Sequence, residues 1–137
     1  MVLPTGRAGE SMTTMTPPGP LVAFAATRDL QRAERFYVDV LGLAVRTRDP
    51  GAVSLDSAGT ELRVTLVQEK AAAPYTVLGW SVDDLSAQVA TLRARGLVFT
   101  RYPGLDQDDD DAWTAPDGTR VAWFTDPDGN VLSLHQV

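Results

Sequence analysis

Apolar residues in this chain follow two periods that alternate. Leu21-Val22-Ala23-Phe24-Ala25-Ala26 is a short continuous apolar run, the signature of a buried strand. Leu30, Ala33, Phe36, Tyr37, Val40 and Leu41 then recur at helical spacing and form one apolar stripe. Thr27 or Asp29 caps the first turn, since either side-chain oxygen can accept an orphan N–H there. Gly42 ends the helix as a C′ residue. Three strand-length segments follow, at about 43–48, 52–57 and 61–68. Asp49-Pro50-Gly51 and Ser57-Ala58-Gly59 supply the turns between them.

The same order is then written again. Val77-Leu78-Gly79-Trp80-Ser81-Val82 is a strand, Asp83 or Asp84 a cap, and Leu85, Val89 and Leu92 a helical stripe that Gly96 stops. Strand segments return at about 97–102, 119–124 and 130–136. Asp29-Leu30 matches Asp84-Leu85, a displacement of 84 − 29 = 55 residues. The chain therefore reads β-α-β-β-β twice, with modules at about 21–68 and 76–137. One such module leaves a sheet face uncovered, so two joined side by side form the minimum stable unit. The expected class is α+β: two tandem modules building a cupped mixed sheet with the helices outside.

Residues 1–20 lack any period and close on Pro17-Pro18-Gly19-Pro20. That composition buries too little apolar surface to offset chain entropy, and reads as a flexible leader. It has no apolar h-region of a signal peptide. At 137 residues, with 44% apolar and 22% charged residues, the remainder 21–137 is one globular domain. The absence of cysteine removes disulfides, thiolate metal sites and Cys nucleophiles, and fits a cytoplasmic setting. A net charge of −6 disfavours nucleic acid and anionic membrane surfaces as partners.

Three features in this order carry a family resemblance. They are the 55-residue repeat, the spacing of Arg28-Asp29-Leu30 before Phe36-Tyr37 and Leu41-Gly42, and the hairpin Asp126-Pro127-Asp128-Gly129-Asn130. Together residues 21–137 resemble the glyoxalase/bleomycin-resistance/extradiol-dioxygenase superfamily, the vicinal oxygen chelate proteins. The resemblance implies a half-closed cup whose metal ligands, in metal-dependent members, come from the first and last strand of each module. On this chain those positions are Val22, Arg63, Val77 and Ser133. Valine has no lone pair, arginine repels a cation, and neutral serine is a poor ligand. Their neighbours Leu21, Ala23, Leu62, Val64, Leu78, Trp80, Leu132 and Leu134 offer nothing better, leaving only Glu61 and His135 on these strands. No metal or other cofactor is expected.

Strand alternation predicts what lines the cup instead. Phe24 shares a face with Val22; Glu61 and Thr65 with Arg63; Gly79 and Ser81 with Val77; Val131 and His135 with Ser133. Trp123 and Val121 are assigned to the cup, and Phe124 to the helix-packed side. Arg63 is the leading candidate, as a bidentate anchor for a carboxylate, phosphate or polarised carbonyl. Its bland alternative is an internal ion pair with Glu61 or an aspartate of residues 106–111, or a side chain that snorkels out. His135, the only histidine, is an acid/base candidate or simply a strand-end residue. Trp80, Trp113 and Trp123 are candidates to stack on a flat ligand or to be core, and Tyr102 offers a hydroxyl beside them. Asp106-Gln107-Asp108-Asp109-Asp110-Asp111 lacks the Gly and Glu of a calcium loop and reads as an extended, solvated loop or lid. There is no Gly-x-Ser-x-Gly elbow and no phosphate-cradling loop.

The expected function is metal-independent binding of a small organic molecule, aromatic ones included, in the cup, with Arg63, Trp123, Trp113, Phe24, Tyr102, Ser133 and His135 as contacts. The alternative is a metal-free enzyme in which Arg63 polarises a carbonyl while His135, Glu61 or Tyr102 moves a proton. The resemblance also implies a homodimer.

Overall fold

A computed structural model describes residues 15–69 and 71–137. Most of the segment read as a leader therefore lies outside the described residues. The first module comprises β1 (Val22–Thr27), α1 (Leu30–Arg35), β2 (Ala44–Asp49), β3 (Ala52–Ser57) and β4 (Thr60–Leu66). The second comprises β5 (Thr76–Ser81), α2 (Leu85–Ala94), β6 (Trp113–Thr114), β7 (Arg120–Thr125) and β8 (Val131–Gln136). Hydrogen bonding divides the predicted sheet into two of four strands, ordered β1-β4-β3-β2 and β5-β8-β7-β6. In each, the first strand runs parallel to the last and the rest are antiparallel. The fold is thus the two-module α+β arrangement that the repeat predicts. The segment at 97–102 is the exception, touching the sheet only where Thr100 bridges Trp123.

Local chemistry settles the helices. Asp29 caps α1 by accepting from the Arg32 N–H at 3.1 Å, and Asp84 caps α2 by accepting from Ala87 at 3.0 Å. Gly42 and Gly96 follow with φ of 82° and 94°, where L side chains are strained. Between Arg35 and Gly42 the helix widens into a π-turn over Phe36–Val40, which a stripe of apolar spacing does not signal. It lies at fully buried Tyr37, whose hydroxyl donates to Asp126 Oδ2 at 2.7 Å. Burial first, and then the Asp126 carboxylate, push that hydroxyl far above its ordinary pKa, so it remains a donor.

Helix α1 packs on β3 and β4, and α2 on β8. The side chains beneath them form one continuous apolar core through both modules, including Leu55, Leu62, Val64, Leu85, Val89, Phe124 and Leu132. The opposite sheet faces are left for the cup.

The Asp126–Asn130 hairpin does more than turn the chain. Asp126 accepts from the N–H groups of Asp128 and Asn130, both at 2.9 Å, and from Asn130 Nδ2. Asn130 also donates to the Ala26 carbonyl at 3.1 Å. Asp128 reaches the first module, accepting from the Thr27 hydroxyl, the Arg28 N–H and Arg32 Nη2. Burial would raise the Asp128 carboxyl, but these donors outweigh it and hold it below the usual carboxylate range. The hairpin is therefore a polar clamp between modules. A second tie runs from Trp80 Nε1 to Ser57 Oγ at 2.9 Å.

Candidate functional site

Strand register sorts the cup residues into rows. In the first module Phe24 stands beside Arg63 and Arg63 beside Ser54, while Val22, Glu61 and Asp56 form the row before it. In the second, Gly79 lies beside Ser133 and Ser133 beside Trp123, followed by Ser81, His135 and Val121. Trp113 extends that row through Val121. Predicted alternation holds at both ends: Ala122 and Phe124 are fully buried on the helix side, whereas Trp123 is half-buried on the cup side.

The polar groups of the first face largely satisfy one another. Ser54 donates to Glu61 at 2.7 Å, and Arg46 pairs with Asp56 at 2.6 Å while standing 3.7 Å from Glu61. The hydrogen bond from Arg46, aided by the Gly59 N–H, holds the Asp56 carboxyl below its ordinary range. Among the described residues Arg63 has one loose partner, Asp49, at 3.5 Å. Of its predicted alternatives, Glu61 accepts from Ser54, and Asp108, Asp110 and Asp111 pair with other arginines. With its side chain 37% exposed, most of the guanidinium fork is free at the cup. Phe24 beside it is 62% exposed.

The second face gathers aromatic rings. Tyr102 meets Trp123 edge-on at 5.4 Å between centroids, and Trp113 lies 6.2 Å from Trp123 at a tilt of 31°. Trp113 is therefore part of this wall, held in a two-residue strand rather than a loop. Among the described residues, the Tyr102 hydroxyl, the Trp113 and Trp123 indole N–H groups, the Ser133 hydroxyl and the His135 imidazole make no hydrogen bond to protein. Trp80 belongs elsewhere: it stacks on Phe124 at 6.5 Å within the helix-packed core. A half-open cavity of about 150 Å³, lined by Leu43, Trp80, Leu92 and Leu134 among others, also lies on that side.

The acidic run supports this wall from behind: it is the loop expected, with Asp106, Asp108 and Asp109 exposed, but it is folded around Gln107 rather than extended. Gln107 is buried and donates to the Thr100 and Asp111 carbonyls at 2.9 and 2.8 Å, while accepting from the Tyr102 N–H at 2.7 Å. Asp111 takes Arg93 and Arg101; Asp108 and Asp110 take Arg120. Burial pushes the Asp108 and Asp111 carboxyls up, yet their arginines outweigh it and hold both below the usual range. Repulsion at Asp108, Asp110 and Asp111 is offset by three arginines that the fold brings near.

The four positions at which the superfamily resemblance places metal ligands remain Val22, Arg63, Val77 and Ser133. Among the described residues no three His, Cys, Asp or Glu side chains converge as a metal-holding group. The donors present thus do not fit a divalent ion, and no chemistry is derived through one.

The glyoxalase/bleomycin resistance protein/dioxygenase superfamily model matches residues 20–134. The chain belongs to that superfamily. Solved structures agree on the fold. A glyoxalase/bleomycin resistance protein/dioxygenase from Alicyclobacillus acidocaldarius is 22% identical, covers 90% of this chain and 94% of its own, and superposes with a TM-score of 0.68. A glyoxalase family protein from Bacillus anthracis is 14% identical over 90% and 98%, with a TM-score of 0.70. A lactoylglutathione lyase from Agrobacterium tumefaciens is 21% identical over 89% and 96%, with a TM-score of 0.66. No curated protein matches the chain. Among the described residues no helix is long and apolar enough to cross a membrane.

Proposed function

We propose that this chain is a metal-independent binding protein for a flat organic ligand, seated against Trp123, Trp113 and Tyr102. One observation carries the reading: an aromatic wall on an open sheet face, with five neighbouring polar groups that no protein atom among the described residues satisfies. Aromatic side chains with unused polar handles are the usual make-up of organic-ligand sites. Ser133 and His135 supply hydrogen bonds at the edge of the wall. Arg63 and Phe24, on the other sheet, supply an anionic or carbonyl anchor and an apolar contact.

The working unit is a cytoplasmic homodimer. Val22, Phe24, Tyr75 and Val77 are exposed on or beside β1 and β5. Each of these strands ends its sheet, so a second copy would cover apolar surface and sheet edge together. Light scattering at micromolar concentration should give twice the chain mass; a monomer mass would refute this.

Native mass spectrometry of the protein purified from its own host tests the function, with a retained small molecule of defined mass as the expected result. Trp123→Leu should lose it. Retention of the same molecule by that variant would refute the reading. A second reading, a metal-free enzyme, is favoured by the lightly held Arg63 and by His135, which has no hydrogen-bond partner among the described residues. It requires that the retained molecule be chemically changed on incubation, and that His135→Gln stop the change.

A further inference from the structure

The structure assigns a second binding site to the seam between the modules, on the helix side of the sheets: a half-open cavity that takes a neutral, single-ring phenol. This site is separate from the cup and does not depend on what the cup binds.

The cavity holds about 150 Å³. Leu41 and Leu43, which follow the π-turn of the first module, line one side. Trp80 and Val82 of the β5 end, Leu92 of α2 and Leu134 of β8 line the other. Apolar groups inside a protein ordinarily close on one another to crystal-like density. Here polar ties outside the cavity hold its walls apart. Trp80 donates through Nε1 to Ser57 Oγ at 2.9 Å and stacks on Phe124, so its ring cannot swing inward without breaking a hydrogen bond between modules. Arg95, just past α2, donates through Nη1 to the Val40 carbonyl at 2.8 Å. That bond fixes the end of α2 against the segment that carries Leu41. Leu43, Leu92 and Leu134 are buried, so the core behind them sets their positions. An apolar cavity whose walls cannot relax into it gains contacts when a ligand fills it.

Size, charge and polarity then choose the occupant. An apolar cavity of this volume accommodates one benzene-sized ring. None of its lining side chains is ionisable, so a carboxylate or ammonium would lose hydration and gain no counter-charge. Its polar lining is Ser81 and Gln88. Gln88 is exposed, and its carboxamide has no hydrogen-bond partner among the described residues. A ring with one hydroxyl matches this arrangement. The ring lies against Trp80 and the leucines, and the hydroxyl donates to the Gln88 carboxamide oxygen at the open side.

Phenol itself is the probe, followed on the full chain through the indole N–H signals of its three tryptophans in nitrogen–proton correlation spectra. Trp80→Phe identifies the Trp80 signal by its loss. In wild type that signal should move saturably as phenol is added, with a Kd on the order of 1 mM or tighter. The same titration should be retained in Trp123→Leu, which alters only the cup. Gln88→Leu, a surface change that leaves the core intact, should weaken phenol roughly fivefold and leave toluene within about twofold. Leu92→Phe fills the cavity and should abolish the shift in protein that still melts cooperatively. A Trp80 signal that stays fixed, moves without saturating, or stops moving in Trp123→Leu overturns the site. So does wild-type phenol binding by folded Leu92→Phe. Undiminished phenol affinity in Gln88→Leu overturns the assignment of the ligand as a phenol.

Discussion

The two modules share one chain order and one strand register, yet their cup faces solve opposite problems. The first face carries charge and neutralises most of it locally, through Ser54, Glu61, Arg46 and Asp56. The second carries rings and, among the described residues, gives its polar groups no protein partner. A surface whose hydrogen bonds are already made gives up little when a ligand leaves. A surface whose donors and acceptors are satisfied only by water can exchange that water for a ligand. On the proposed function, binding capacity would come from withholding internal partners, in the second module more than in the first. Arg63 is the partial exception on the first face, since a 3.5 Å contact to Asp49 leaves most of its fork free.

The largest effect should come from the support behind the second face. Gln107→Ala strands the Thr100 and Asp111 carbonyls and the Tyr102 N–H, costing roughly 2–4 kcal/mol in chemical denaturation. Near-wild-type stability would mean that the wall does not depend on its backing. Next comes Trp123→Leu, which should cost roughly 2 kcal/mol of ligand binding, about thirtyfold, with little change in melting temperature. Calorimetric titration with the ligand recovered from the host checks it. Equal loss from Phe24→Leu would erase the contrast between faces.

Arg63→Met should keep the fold and weaken binding at least tenfold, the lower end of what truncating a charged hydrogen bond of about 1.5–3 kcal/mol produces. Arg63→Lys should recover only part of that, because a point charge cannot reproduce the fork. A large drop in melting temperature with affinity retained would make Arg63 structural instead. The smallest effect is in pH. Asp108 and Asp111 are held below their ordinary value of 3.8. Their contribution to stability is complete above about pH 4 and is lost as pH falls through the lowered folded values. Melting temperature should thus show no change from these groups between pH 7 and 5 and decline below pH 4. Asp111→Asn should flatten that decline, and an unaltered profile would count against the arginine pairing.

Most of the fold was legible along the chain. Apolar spacing, Asp29, Asp84, Gly42 and Gly96 mark both helices, and the 55-residue displacement marks the duplication. Period-two alternation also separated Trp123 from Phe124. These are local consequences of backbone geometry, so neighbouring residues suffice to reveal them. The cross-chain partners were a different matter. Arg63 was matched to Glu61 or the acidic run and instead meets Asp49. Asp126-Pro127-Asp128-Gly129-Asn130 was read as a turn and is also the clamp onto Thr27 and Arg32. The acidic run was read as an extended, solvated loop; its aspartates are largely solvated, but the loop is folded around Gln107.

What the sequence by itself determined, then, is the order of elements, the face each strand residue takes, and the absence of suitable ligands at the four expected metal positions. Only the tertiary structure decided which polar groups found partners and which were left open. The physical reason is range. Strand and helix periods arise within a few residues of one another. Charge pairing and hydrogen-bond satisfaction depend instead on atoms brought together from as far apart as Thr27 and Asp128, separated by 101 residues.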